Sequence, residues 1–140
     1  DILKVEEASR LLAEDRHAAC INKRDACSTL RVIPGPEADW FDCGGLNAFL
    51  TEAFSVSSKS DRTGIRLDGA PLSFRHAKQM VSSGIAMGTI QVPPSGLPII
   101  MMADHPTTGG YPRIGNVVEN DLSILAQLKP GDEVWFVEMR

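Results

Sequence analysis

The chain has 140 residues, of which 43% are hydrophobic and 23% charged, with 12 Gly and 9 Pro; this is the make-up of one folded domain able to bury a core, and it excludes a disordered or collagen-like chain. Fourteen Lys and Arg against 18 Asp and Glu leave a formal net charge of -4. That mild acidity argues against a nucleic-acid partner, whose phosphate backbone needs a basic face to release its counterions.

The stretch from Val5 to Ala19 sets Val5, Ala8, Leu11 and Leu12 on one side, with Asp15 or Arg16 opposite, which predicts a short amphipathic helix. Lys4, Glu6, Glu7 and Arg10 interrupt its apolar positions, so no secretory signal is visible there. Ile21 to Thr29 is polar and reads as a linker, dividing the chain into a helix and linker over 1–28 and a body over 29–140. Cys20, Cys27 and Cys43 are odd in number and lack CxxC spacing, which favours a reducing, cytoplasmic location. His17 and Cys20 have a spacing that could chelate zinc, but no second close pair accompanies them and no metal site is expected.

Leu30 to Ile33 predicts a strand stopped by Pro34-Gly35-Pro36. A helix follows, capped by Asp39 or Asp42, with Trp40, Phe41, Leu46, Phe49 and Leu50 as its apolar face. Short strands are then expected at Ala53–Val56, Gly64–Leu67, Thr89–Val92, Ile99–Ala103, Ile114–Val118 and Glu133–Val137; so many strands with so little helix between them point to a barrel or sandwich. Ile99–Ala103 is apolar throughout, which predicts a central strand covered on both faces, and it falls far short of the roughly 20 residues of a membrane-spanning helix. Asp121 reads as the cap of a helical turn carrying Leu122, Ile124, Leu125 and Leu128, closed by Lys129-Pro130-Gly131-Asp132. Val134 to Val137 contains no polar residue, which predicts burial.

No nucleophile elbow, phosphate loop, dinucleotide fingerprint or zincin helix is present. Chemistry is instead expected from three polar clusters at predicted strand ends and turns, positions that place side chains at a barrel mouth. In Ser60–Leu67, Arg62 and Arg66 bracket Gly64, and their planar forks suit a carboxylate, although surface pairing of Asp61 with Arg62 or of Asp68 with Arg66 would explain them equally. In Gly88–Gly96, Gln91 lies on an apolar strand and must satisfy its carboxamide, either on nearby backbone or on a ligand amide. In Ala103–Pro112, Gly109-Gly110 allows close approach of a ligand to backbone, Thr107, Thr108 and Tyr111 supply hydroxyls, and Asp104 either acts as a base or amide acceptor or merely caps Thr107 or Thr108.

These strings, Ser60-Asp61-Arg62-x-Gly64-x-Arg66-Leu67-x-Gly69, Gly88-Thr89-Ile90-Gln91-Val92-Pro93-Pro94-x-Gly96-x-Pro98-Ile99, Ala103-Asp104-x-x-Thr107-Thr108-Gly109-Gly110-Tyr111-Pro112-x-Ile114-Gly115 and Leu125-Ala126-Gln127-Leu128-x-Pro130-Gly131-Asp132, resemble the C-terminal half of the allophanate hydrolase subunit 2 family. That family is also described as a 5-oxoprolinase subunit and as a biotin-dependent carboxyltransferase domain. The resemblance runs from about Leu30 to Val137, and residues 1–28 lie outside it. It implies a cyclophilin-like β-barrel with one or two short helices and a partner of related fold, subunit 1 or its 5-oxoprolinase counterpart, with a LamB-type third subunit in some assemblies. It further implies a small amide substrate, either urea carboxylated from carboxybiotin or 5-oxoproline opened to glutamate with ATP, the ATP or carboxybiotin being supplied by the complex and not bound by this chain. The family's N-terminal half, with a glycine-rich motif ending in Asp-x-Gly-Arg, has no counterpart here, so the site is expected to be completed elsewhere.

The resulting expectation is one wall of a small-amide site. Arg62 or Arg66 would hold a carboxylate, Gln91 the amide, Asp104 the amide N–H, and the Gly109-Gly110 amides a developing oxyanion, with Thr107 and Thr108 alongside and Tyr111 closing the pocket. The alternative implied by the resemblance is a non-catalytic module that binds an inhibitor of a histidine kinase.

Overall fold

Leu30 and Val32 are buried while Ile33 is 52% exposed, the period-2 alternation of a strand with one face on a core. The computed structural model describes residues 27–75 and 80–139. The expected Val5–Ala19 helix and the His17–Cys20 pair lie outside the described residues. The expected linker does so only in part, because β1 (Cys27–Pro34) already begins at Cys27.

Eight further strands follow: β2 (Phe54–Val56), β3 (Gly64–Asp68), β4 (Ser83–Gly84), β5 (Thr89–Gln91), β6 (Ile99–Met101), β7 (Thr108–Gly109), β8 (Arg113–Val117) and β9 (Glu133–Glu138). Seven of the nine close a barrel in the order β1-β8-β5-β6-β3-β2-β9, while β4 and β7 form a separate two-stranded ribbon. The seam is parallel, with Cys27 opposite Glu133 and Val32 opposite Glu138; the other pairs are antiparallel. Of the barrel or sandwich expected from the strand count, the chain forms the barrel, as the resemblance implies. The ribbon strands, two residues each, are too short for any periodicity to announce them.

The barrel is filled by Leu30, Val32, Phe54, Val56, Ile65, Leu67, Ile90, Ile100, Ile114, Val117, Val134 and Phe136. Helix α1 (Cys43–Thr51) packs on it through Phe49, whose ring stacks on Phe136 at 4.5 Å. Asp42 is the cap: its carboxylate accepts from Gly45 N–H at 2.7 Å and from the Ser73 hydroxyl at 2.6 Å. Trp40 and Phe41 fall before the helix, in and just after a 3-10 turn over Ala38–Trp40, and Phe41 stacks on Phe74 instead. No described helix is long and apolar enough to cross a membrane.

Three further expectations change. Asp121, ahead of the short helix α2 (Leu122–Leu125), makes no side-chain cap. Its carboxylate accepts instead from the Arg31 backbone N–H at 2.8 Å, Nε at 3.0 Å and Nη2 at 2.7 Å, because the 3-10 turn Glu119–Asp121 brings it beside β1. In β9 only Val134 and Phe136 are fully buried, with Trp135 and Val137 half-buried on the outer face. The apolar run at Ile99 is a strand only to Met101, and Ala103 is exposed.

Candidate functional site

Because Ile65, Ile90 and Ile100 point into the barrel, strand alternation sends Gly64, Arg66, Gln91, Ile99 and Met101 outward. Registers align them further. Arg66 pairs with Ile99, and Ile99 with Gln91, so these residues form one transverse row over β3, β6 and β5. With strands about 4.8 Å apart, the Cα atoms of Arg66 and Gln91 stand roughly 10 Å apart with an apolar residue between them.

Over this row lies a half-open cleft of about 250 Å³, lined by Thr63, Gly64, Arg66, Ile85, Gln91, Ile99, Met101, Pro106, Thr108, Gly109, Gly110 and Tyr111. The cleft is on the outer wall of the barrel, roofed by the β4–β7 ribbon and the segment following it. The sequence clusters suggest the barrel mouth; the mouth position is wrong because the cluster residues occupy the outward half of each strand's alternation.

Of the expected site residues, Arg66, Gln91, Thr108, Gly109, Gly110 and Tyr111 come together in the cleft. Arg62, Asp104 and Thr107 are exposed and do not line it. The backbone N–H of Asp104 donates to Arg62 O at 3.1 Å, closing a turn-to-turn contact beside the cleft. No hydrogen bond joins the Asp104 carboxylate to Thr107 or Thr108, and no ion pair joins Asp61 to Arg62 or Asp68 to Arg66. Asp61 turns its Oδ1 to its own loop instead, accepting from Thr63 N–H at 2.9 Å and Gly64 N–H at 3.2 Å. The Thr63 hydroxyl and those amides hold its carboxyl below the usual range.

Gln91 is the unusual member. It is only 5% exposed, and its Nε2 is a buried donor with no hydrogen-bond partner among the described residues. Of the two alternatives for Gln91, satisfaction on nearby backbone is not met at Nε2. Leaving such a donor unpaired costs about 1–3 kcal/mol, and it is tolerated in native proteins where a ligand or other function completes it. A bulge between Ile90 and Gln91, where β5 meets β8, breaks the regular register at this residue. Gly109 gives it room: a Cβ there would stand 2.0 Å from Nε2. At Gly110 the nearest atom to a Cβ would be Met80 O at 4.0 Å and φ is not positive, so neither packing nor backbone conformation requires glycine.

The roof is tied down by a residue outside the three clusters' expected roles. Arg113 pairs with Glu37 through Nε at 2.9 Å and Nη2 at 2.6 Å, and its Nη1 donates to Gly84 O at 2.9 Å. The two partners lie 76 residues apart, which no local sequence signal reveals. No group of three or more His, Cys, Asp or Glu placed to hold a metal occurs among the described residues.

A family model described as the carboxyltransferase domain, subdomain A and B, matches residues 1–138, a span that includes the first 28 residues. A 5-oxoprolinase subunit of Escherichia coli (strain K12) is 41% identical over 109 residues, covering 78% of this chain and 35% of that protein. The urea amidolyase of Lachancea kluyveri is 28% identical over 120 residues, covering 78% of this chain and 6% of that protein. The crystal structure of the K. lactis urea amidolyase superposes with a TM-score of 0.78 at 24% identity over 84% of this chain and 8% of that one, a likeness of fold. The chain thus spans about a third of the length of the bacterial relative it matches.

Proposed function

The chain belongs to the carboxyltransferase-domain family, and on that premise we propose that it is a component of a multi-subunit enzyme of the 5-oxoprolinase type, its outer-wall cleft forming one side of a site for a small amide. The observation that carries this reading is the buried, unpartnered carboxamide of Gln91 in a cleft whose lining includes one guanidinium, that of Arg66. A ligand amide completes Gln91, a ligand carboxylate meets the Arg66 fork, and Ile85, Ile99 and Met101 cover an apolar ring. A lactam bearing a carboxylate, as 5-oxoproline does, uses all three features. Urea, with neither carboxylate nor apolar part, leaves Arg66 and the apolar wall unused.

In this proposal Thr108 lies beside the amide, Tyr111 stands at the rim as the closing side chain, and Gly110 lets substrate approach the backbone. The cleft, at about 250 Å³ and with a single guanidinium, suits a small amide and not a nucleotide triphosphate. ATP or carboxybiotin chemistry is accordingly assigned to other parts of the complex. A second subunit of related fold, with a LamB-type subunit, would complete the site, so this chain alone is expected to be inactive. The free thiol of Cys43 suits a cytoplasmic setting.

The test is ATP-dependent turnover of 5-oxoproline by the reconstituted complex, with urea carboxylation run beside it. Arg66→Gln should raise KM for 5-oxoproline at least tenfold. Turnover of urea in place of 5-oxoproline, or a KM indifferent to Arg66, would overturn the assignment.

A further inference from the structure

The outward row that carries Arg66, Ile99 and Gln91 has a fourth member, since Gln91 pairs with Arg113 on β8. Unlike Arg66, Arg113 is spent on the protein itself: Glu37, whose side chain is 10% exposed, takes Nε and Nη2 in a two-pronged pair. Glu37 Oε2 also accepts from the Arg113 backbone N–H at 3.3 Å, and Glu37 N–H donates to Arg113 O at 3.2 Å, so the two residues are locked to each other by main chain and side chain together. A pair that served only to hold β8 to the turn after β1 would be complete at this point.

The third prong makes the difference. Nη1 reaches Gly84 O, in the strand that pairs with Thr108 and Gly109 to roof the cleft. A second side-chain tie between this roof segment and the barrel is the Thr89 hydroxyl, which accepts from Ala86 N–H at 3.1 Å and donates to Asn116 Oδ1 at 2.8 Å. The roof matters to the site because Gly109 rests directly against the Gln91 carboxamide. A change in ribbon height of a fraction of an ångström therefore moves the group that covers Gln91, and with it the space left for a ligand.

We propose that Arg113, clamped by Glu37, is a positioning residue that fixes the β4–β7 ribbon over Gln91 and so sets the affinity of the cleft for its amide. It touches no substrate and its charge is already matched, so it acts on binding and not on the reacting atoms. The affinity part rests on the function proposed above; the mechanical part, the tie to the ribbon, does not.

Arg113→Lys tests it, because one ammonium cannot reach both the Glu37 carboxylate and Gly84 O in the geometry of the guanidinium. In the assembled complex this variant should raise KM for 5-oxoproline about tenfold with kcat within twofold of the parent. Amide hydrogen exchange at Ile85 and Gly109 should accelerate at least tenfold while Ile100 and Val134 in the barrel keep their protection. Thr89→Val, near-isosteric and cutting the second tie, should move KM and ribbon exchange in the same direction, and it stands in if Arg113→Lys does not fold. Faster ribbon exchange with unchanged KM, or a raised KM with unchanged ribbon exchange, overturns the positioning role. If the parent complex does not turn over 5-oxoproline, the functional reading fails by itself. The tie is then decided by exchange alone, and unchanged ribbon protection refutes it.

Discussion

The Gln91 carboxamide and the Cα of Gly109 are in such close contact that a single methyl group on Gly109 would stand 2.0 Å from Nε2. Gly109→Ala must therefore turn the Gln91 side chain aside. Since the displaced atom is the end of a rotatable side chain, the stability cost should stay near about 1 kcal/mol, while turnover of the complex falls at least tenfold. Paired measurements of unfolding midpoint and kcat/KM check this, and activity that survives Gly109→Ala would separate Gln91 from the site.

Gln91→Met keeps length and volume and removes a buried donor that the protein leaves unsatisfied. Apolar replacement of such a group is neutral or stabilising, because the folded state no longer carries its desolvation cost. The melting temperature of Gln91→Met is expected to match or exceed the parent's, with kcat/KM lowered about a hundredfold. A melting temperature several degrees lower would mean that the carboxamide has a partner inside the protein.

Gly35 behaves differently from Gly109, because what faces it is backbone. A Cβ there would lie 2.3 Å from Arg113 O and 2.9 Å from Gly115 N. Neither atom can rotate away, and the Gly35 N–H bond to Ile114 O at 2.9 Å holds the strands together at that point. Gly35→Ala should cost about 2–3 kcal/mol, read as a lower denaturant midpoint at unchanged slope. A loss under about 0.5 kcal/mol would show that the turn after β1 can shift.

Acid should weaken the fold through Asp121. Its carboxyl is held below the ordinary 3.8 by the side-chain hydrogen bonds from Arg31, aided by the Arg31 backbone N–H and charge. The unfolded chain therefore binds a proton here at a higher pH than the folded one. The contribution is complete from about pH 5, roughly a unit above the ordinary value, and disappears as pH falls through the folded value. Asp42 and Asp61, held low by Ser73 and Gly45 and by Thr63 and Gly64, act in the same direction. Urea midpoints for the parent and Asp121→Asn should differ most at neutral pH and draw together as pH falls below the ordinary carboxyl value. Parallel curves would show that the Arg31 pair does not titrate with folding.

Much of the barrel is legible in the sequence because its strands bury one face and alternate: the isoleucines at 65, 90 and 100 locate β3, β5 and β6 by their neighbours alone. The same alternation could have placed Arg66 and Gln91 outside the barrel instead of at its mouth. Asp121 misleads because a residue suited to cap a helix was used across the fold, 90 residues from Arg31. Ile85, Glu37 and the part played by Arg113 are invisible locally, since each acts through a ribbon or an ion pair created only by the closed topology. Arg62, Asp104 and Thr107 share motifs with cleft residues, but neighbours on an exposed turn need not face the same way.

The parallel seam between β1 and β9 joins positions about a hundred residues apart, Cys27 to Glu133 and Val32 to Glu138. During synthesis β1 waits with both edges unpaired until β8 has been made, and its second edge stays open until β9 follows. This delay is the kind that slows folding through long-range pairing. A chain stopped before Glu133 would leave that edge open to other chains, so strand-to-strand aggregation is the hazard this topology carries.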